Sequence, residues 1–205
     1  MLTNLSIIGS GGHAGVVVES LNYSKDNFQI RIFDENIAVS GKLLSQFSIQ
    51  FLNNFIDLDE YFHIAIGSND IRARLSLEAI KYNKKPLSII HKLSIVSSSA
   101  VVQEGVFVAA NSIIASQSII ESGCIINHAA IIDHNCSVGE YSHIAPNVTL
   151  GGGVSIGKQC LIGAGSVILP NVTIGDFSII GAGSIVINDV SEGLIMAGNP
   201  AREIG

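Results

Sequence analysis

The sequence predicts a small parallel α/β unit over residues 1–90, followed by an all-β parallel β-helix over residues 91–205. Two patterns carry that reading. From Val96 to Val186 an aliphatic residue returns at every sixth position without a break. Ahead of it, short apolar segments alternate with helical ones, and the first runs into a glycine loop, Gly9-Ser10-Gly11-Gly12-His13-Ala14-Gly15.

In chain order, residues 5–8 read as a first strand and residues 16–21 as a helix. Residues 30–33 read as a second strand ending at Asp34-Glu35, and residues 64–66 as a third running into Gly67-Ser68-Asn69-Asp70. Asn69 or Asp70 is positioned to cap a helix over residues 71–82, because a short polar side chain there accepts from the first free N–H groups. Residues 87–90 form the last strand. Such alternation predicts a parallel, Rossmann-like sheet.

The glycine loop is a variant of the G-x-G-x-x-G turn, with Ala14 in the third place. It follows a strand, opens a helix, and has an acid about twenty residues on. Backbone N–H groups at such a helix start hold phosphate. The expected ligand is a mononucleotide diphosphate over Gly11, Gly12 and His13, with Asp34 and Glu35 near its ribose or base. Gly67 and Asn69 would close the pocket. A complete dinucleotide fold needs more chain than this unit supplies.

A period of six fits neither a helix nor a lone amphipathic strand. It fits a triangular coil in which each hexad makes one strand and one turn, and coils must stack to bury a core. The aliphatic points inward. Four places later a small residue or valine fits the tight inner space: Ser112, Ser118, Cys124, Ala130, Cys136 and onward. The span gives about five coils. Glycines directly after the aliphatic, such as Gly139, Gly157 and Gly163, suggest turns of positive φ. Ile113, Ile119, Ile125 and Ile131 should point outward and pack between subunits.

Net charge is −6, with no Lys/Arg cluster large enough for a nucleic-acid footprint. No apolar run reaches the length of a membrane span. The N-terminus lacks the cationic segment of a secretory signal. Three cysteines, an odd number, fit a reducing cytoplasm. Cys124, Cys136 and Cys160 all occupy the small inward position and read as packing residues.

The hexad pattern and the closing Asn199-Pro200-Ala201 resemble the hexapeptide-repeat acyltransferases. Jointly, GSGGHAG, IAIGSND, IIDHN and YSHIAP resemble one bacterial subfamily. It holds the N-acetyltransferases of nucleotide-linked aminosugars and the sialic acid O-acetyltransferases. The resemblance implies a left-handed β-helix, a homotrimer with active sites between subunits, and acetyl-CoA as acyl donor, without a metal. It implies acetylation of the 4-amino group of a nucleotide-diphosphate 4-amino-deoxysugar for a bacterial surface glycan. The alternative is O-acetylation of sialic acid or another sugar.

In that pattern His134 is the general base, a natural role for imidazole near neutral pH. The family carries an acid after this histidine; here Asn135 stands in its place. His143 corresponds to the histidine beside the thioester, Ala164 and Ala182 to positions along the CoA arm. Asn127 and His128 would line the sugar pocket. A zinc site of His128, His134 and His143, as in β-helical hydratases, leaves the front unit and the Asn-Pro-Ala tail without a purpose.

Overall fold

A computed structural model describes residues 3–21, 28–36 and 47–204. The first unit contains strands β1 (Thr3–Ile8), β2 (Phe28–Asp34), β3 (Ile49–Phe51), β4 (Tyr61–Ile64) and β5 (Lys85–Pro86), with helices α1 (Gly12–Leu21) and α2 (Asn69–Lys81). The strands form one parallel sheet in the order β3-β2-β1-β4-β5. Leu5 and Ile7 of β1 pack with Ala14, Val17 and Val18 of α1. Ile8 packs on the other side with Phe62, Leu75 and Ala79. Both faces are therefore covered, as parallel sheets require.

Four details differ from the sequence expectation. The third expected strand begins earlier, at Tyr61, because Tyr61 to Ile64 pair with Leu5 to Ile8. Strand β3 was not foreseen. The expected strand over residues 87–90 divides: Leu87 N–H donates to Phe62 O at 2.8 Å as the last bond of the first sheet, and Ile89–Ile90 opens a β-helix face. The cap of α2 is Ser68. Asn69 does not cap because its side chain donates across to the carbonyls of Gln159 and Cys160, at 3.0 and 2.9 Å.

From Ile89 the chain winds into a parallel β-helix whose three faces stack six, five and eight strands. Each strand pairs with the one a full coil away, Ile113 with Ile95 and Ile131 for example. Ile114, Ile132, Leu150 and Ile168 stack inside, fully buried. The small inward residues are buried too. Ser142 Oγ donates to Gly157 O at 2.7 Å and accepts from Cys160 N at 2.8 Å, so its polar group costs nothing inside. Burial pushes the Cys124 thiol up to about 12 and the Cys160 thiol up to about 11. An antiparallel hairpin, Ile195–Gly198 with Ala201–Glu203, closes the end around a cis Asn199–Pro200 bond.

Two expectations about the coils are corrected. Gly139, Gly157 and Gly163 do not take positive φ. They are bare because the next coil is too close: a Cβ on Gly163 would stand 2.5 Å from Ala182 N. The left-handed residue comes two places later, at Asn111, Gln117, Gly123, Ala129, Asn135, Tyr141, Asn147 and onward in the same period. Secondly, Ile113, Ile119, Ile125 and Ile131 do not share a face, since each hexad turns a corner. Ile113 and Ile131 share one, Ile119 lies on the second and Ile125 on the third. Ile125 is buried with Phe107 beneath the chain's own first unit rather than left for a neighbour.

Arg72 of α2 joins the two units. It is 2% exposed and forms no salt bridge among the described residues. Its Nε donates to Gly123 O at 2.7 Å and Nη2 to Tyr141 O at 2.6 Å, both in the β-helix. Nη1 donates to Ile66 O and Gly67 O, each at 3.1 Å. Burial lowers this guanidinium to about 10, so it remains charged at neutral pH.

Candidate active site

His134 lies at a β-helix corner, between strands Ile131–Ile132 and Ser137–Val138. Its side chain is exposed. Asp133 does not orient the ring; its Oδ1 accepts from the His134 backbone N–H at 2.7 Å. The ring instead meets Asn135: Nδ1 lies 2.9 Å from Asn135 Oδ1. With that oxygen toward the ring, a neutral imidazole carries its proton on Nδ1 and leaves the lone pair on Nε2. Asn135 Nδ2 in turn donates to Gln117 Oε1 at 2.9 Å. One coil further on, the ring rests against Gly152, where a Cβ would come within 2.6 Å of Nε2 and Cε1.

The face beneath the first unit is built differently. His143 Nε2 lies 3.1 Å from Asn127 Nδ2. Asn127 Oδ1 accepts from the backbone N–H of His128 at 2.9 Å and meets its Nδ1 at 3.0 Å. Burial, and then the Arg72 charge, lower His143 to about 4, against a hydrogen bond to the Gly67 backbone. His13 stands edge-on to Phe107, 5.3 Å between centroids. Burial and neighbouring imidazoles lower it to about 3, and its buried Nε2 has no hydrogen-bond partner. His63 is fully buried, with Nδ1 2.8 Å from Leu87 O, and burial lowers it to about 4. All three are therefore neutral at pH 7.

The glycine loop begins at Gly9, whose φ is +112° and where a Cβ would stand 2.8 Å from Ala65 O, so no side chain is admitted. Ser10 Oγ donates to Asp34 Oδ2 at 2.6 Å and Asn36 N to Asp34 Oδ1 at 2.8 Å, so Asp34 ties this loop to the end of β2. Glu35 pairs with Arg74 of α2 at 2.7 Å on the exposed side. Gly11, Gly12 and Gly67 face open space, where a Cβ would meet nothing within 4 Å. Packing does not demand their bareness; close approach of a bound molecule would. Gly67 also borders an open cleft of about 370 Å³, walled by Asn69 and by Leu161, Phe177 and Ile179 of the β-helix.

Ala164 and Ala182 are exposed at one corner, a coil apart, linked by Gly183 N to Ala164 O at 2.8 Å. His128 belongs to the same column, as Asn147 N to His128 O and Gly165 N to Pro146 O repeat the link. The strand Ile131–Ile132 separates this corner from that of His134. The structure thus gathers His13, Asn127, His128, His143 and Gly67 on one side, and sets His134 with Asn135 on the next corner. Sequence reasoning missed Gln117, Gly152 and Arg72. The first two were detectable, since each stands one coil of eighteen residues from Asn135 or His134.

Residues 4–78 match the family model of the PglD N-terminal domain, and residues 153–188 that of the bacterial transferase hexapeptide (six repeats). A GDP-perosamine N-acetyltransferase of Escherichia coli O157:H7 is 29% identical over 97% of this chain and 95% of its own length. A solved perosamine N-acetyltransferase of Caulobacter crescentus, holding CoA and GDP-perosamine with one histidine replaced by asparagine, is 32% identical. It superposes with a TM-score of 0.92 over 100% of this chain and 98% of that one. The acetyltransferase domain of PglB from Neisseria gonorrhoeae FA1090, in complex with acetyl coenzyme A, gives 29% identity and a TM-score of 0.93 over 100% of both chains.

Proposed function

Because this chain belongs to the hexapeptide-repeat sugar N-acetyltransferases with a PglD-type N-terminal domain, we propose that it acetylates the amino group of a nucleotide-diphosphate aminosugar from acetyl-CoA. The observation that carries the site is the state of His134: Nδ1 is held by Asn135 and Nε2 is left as an acceptor at an exposed corner.

In the proposed reaction the neutral amine attacks the thioester carbonyl, forming the C–N bond. His134 Nε2 takes a proton from that nitrogen as the tetrahedral intermediate forms. The C–S bond then breaks, and the proton passes to the departing CoA sulfur. The products are the acetamido sugar nucleotide and CoA. Asn135 orients the base. Ala164 and Ala182, small and exposed, leave room for the CoA arm. His143 stands where the substrates would meet, reaching the first unit through Gly67 and the sugar side through Asn127.

Residues 1–90 would hold the nucleotide and residues 91–205 carry the acyl transfer. The bare Gly11, Gly12 and Gly67 suit a diphosphate, which would lie over Gly11, Gly12 and His13. We propose a homotrimer packed through the face bearing Ile95, Ile113, Ile131, Val167 and Ile185, on which Ile95 is 63% and Ile131 39% exposed. The His134 corner and the Ala164 corner flank that face, so packing would bring one chain's base beside its neighbour's acyl-CoA. No helix among the described residues is long and apolar enough to cross a membrane.

The test is thiol release from acetyl-CoA with GDP-perosamine, and with UDP- and dTDP-linked 4-aminosugars. Release with at least one of them, with transfer to nitrogen seen by mass, is expected. No release with any contradicts the proposal. Light scattering at micromolar concentration should return three chains; a monomer mass would remove the shared site.

A further inference from the structure

We infer that Gln117 and Gly152, one coil on either side of the base, are positioning residues that set the tautomer and the place of the His134 imidazole. The inference rests on reading His134 as the base. It begins from the amide at Asn135, where a carboxylate would hold an imidazole without ambiguity. An amide presents an oxygen or an NH₂ group with almost the same shape. With the oxygen toward Nδ1, the ring must carry its proton there, and Nε2 can receive one. With the NH₂ toward Nδ1, the proton moves to Nε2 and the base is blocked. In a serine protease, an asparagine that fixes the wrong tautomer lowers kcat by about 10⁴-fold.

Gln117 favours the first when its own amide presents oxygen, the orientation found here. Its Oε1 takes the Asn135 Nδ2 at 2.9 Å, which turns Asn135 Oδ1 toward the ring. The Gln117 backbone is held in place: its N–H donates to Ser99 Oγ at 3.2 Å, and its φ is +60°. That conformation favours glycine or asparagine, which recur at this point of other hexads. A glutamine here therefore carries a backbone cost, and its side chain supplies a contact neither of those residues would.

Gly152 acts from the other side. Its backbone is not in the left-handed region, so its conformation does not require glycine. What an added Cβ would strike is the His134 ring, 2.6 Å from both Cε1 and Nε2. The bare Cα is the surface against which an exposed imidazole takes a defined position. An alanine displaces a side-chain end and not the backbone, so the coil folds while the base moves.

The first test needs no substrate. Full-length protein carrying ¹⁵N-histidine is examined by long-range ¹⁵N–¹H NMR above about pH 8, where an ordinary imidazole is neutral; His134→Gln assigns the signal. Wild type should show the Nδ1–H form, Gln117→Ala a shift toward Nε2–H, and Gln117→Glu the wild-type form, because its carboxylate still accepts from Asn135. An unchanged tautomer in Gln117→Ala overturns the role of Gln117. The second test is thiol release with acetyl-CoA and GDP-perosamine, or the panel member that reacts. Gly152→Ala should lower kcat about 10-fold with little change in either KM, and cost nothing further in a His134→Ala background. Full activity in Gly152→Ala, or an equal further loss without the imidazole, overturns the role of Gly152; melting temperatures and Gly152→Ser separate this from misfolding. If His134→Ala is itself fully active, the base assignment fails, while the tautomer measurement still judges Gln117.

Discussion

His134 and His143 stand nine residues apart in the same β-helix and in opposite surroundings. His143 lies beneath the α/β unit, where burial and a buried guanidinium keep it neutral. His134 projects from a corner, restrained by the adjacent Asn135, itself bonded to Gln117, and by the bare Gly152 one coil away. The covered face keeps its imidazoles uncharged by desolvation. The open corner leaves one nitrogen available to accept a proton. A covered histidine at about pH 4 is a poor base at neutral pH, whereas a general base works best near the operating pH.

The largest effect should come from removing what covers the first region. Arg72→Ala strands carbonyls of both units that its guanidinium now serves. Leaving a buried carbonyl without its donor costs about 1–3 kcal/mol, measurable by urea denaturation, with looser sugar-nucleotide binding as the functional mark. Stability within about 1 kcal/mol of wild type would mean that Arg72 does not hold the units together.

Acid offers a gentler way to break the same region. His13, His63 and His143 have folded-state values of about 3, 4 and 4, below the usual histidine value of 6.5. Above pH 6.5 both folded and unfolded chains are neutral at these sites. As pH falls from 6.5 toward 4, the unfolded chain takes up protons that the fold refuses, so stability drops across that window. Denaturation midpoints that stay flat from pH 6.5 to 4.5 would contradict their burial as neutral groups.

Gly11→Leu fills the open space over the glycine loop. It should weaken sugar-nucleotide binding at least about 10-fold, or 1.4 kcal/mol, and leave acetyl-CoA binding unchanged by calorimetry. Equal loss of both ligands would deny the separation of the two regions. The smallest effect concerns corner geometry alone. Ala129 sits at φ +55° with no side chain beyond Cβ to lose. Ala129→Gly should stabilise by about 0.5–1 kcal/mol, the relief of the left-handed conformation less the greater freedom of glycine in the unfolded chain.

The β-helix was legible because its period is dictated by its core: inward Ile114 and Ile132 must stack, so the aliphatics repeat. Which outward residues share a face was harder, because corners rotate successive hexads; Ile125 followed from no local pattern and is covered by a unit distant in sequence. The positive-φ positions were present as recurring Asn and Gly, yet glycines two places earlier drew attention although their cause is contact with the next coil. The strand-to-loop glycine motif at Gly9 to Gly15 was readable from local chemistry. Arg72 was not, since a helical arginine reads as surface until a second unit packs over it.

The exposed corner is tested most directly by His134→Ala, assayed by thiol release and by separate binding of acetyl-CoA and the sugar nucleotide. The expected result is a kcat about 10²–10⁴-fold lower, a parallel fall in kcat/KM, and both substrates still bound. A variant that keeps more than about a tenth of wild-type kcat would show that His134 is not the base and that the amine loses its proton elsewhere, with His128 the next residue to remove.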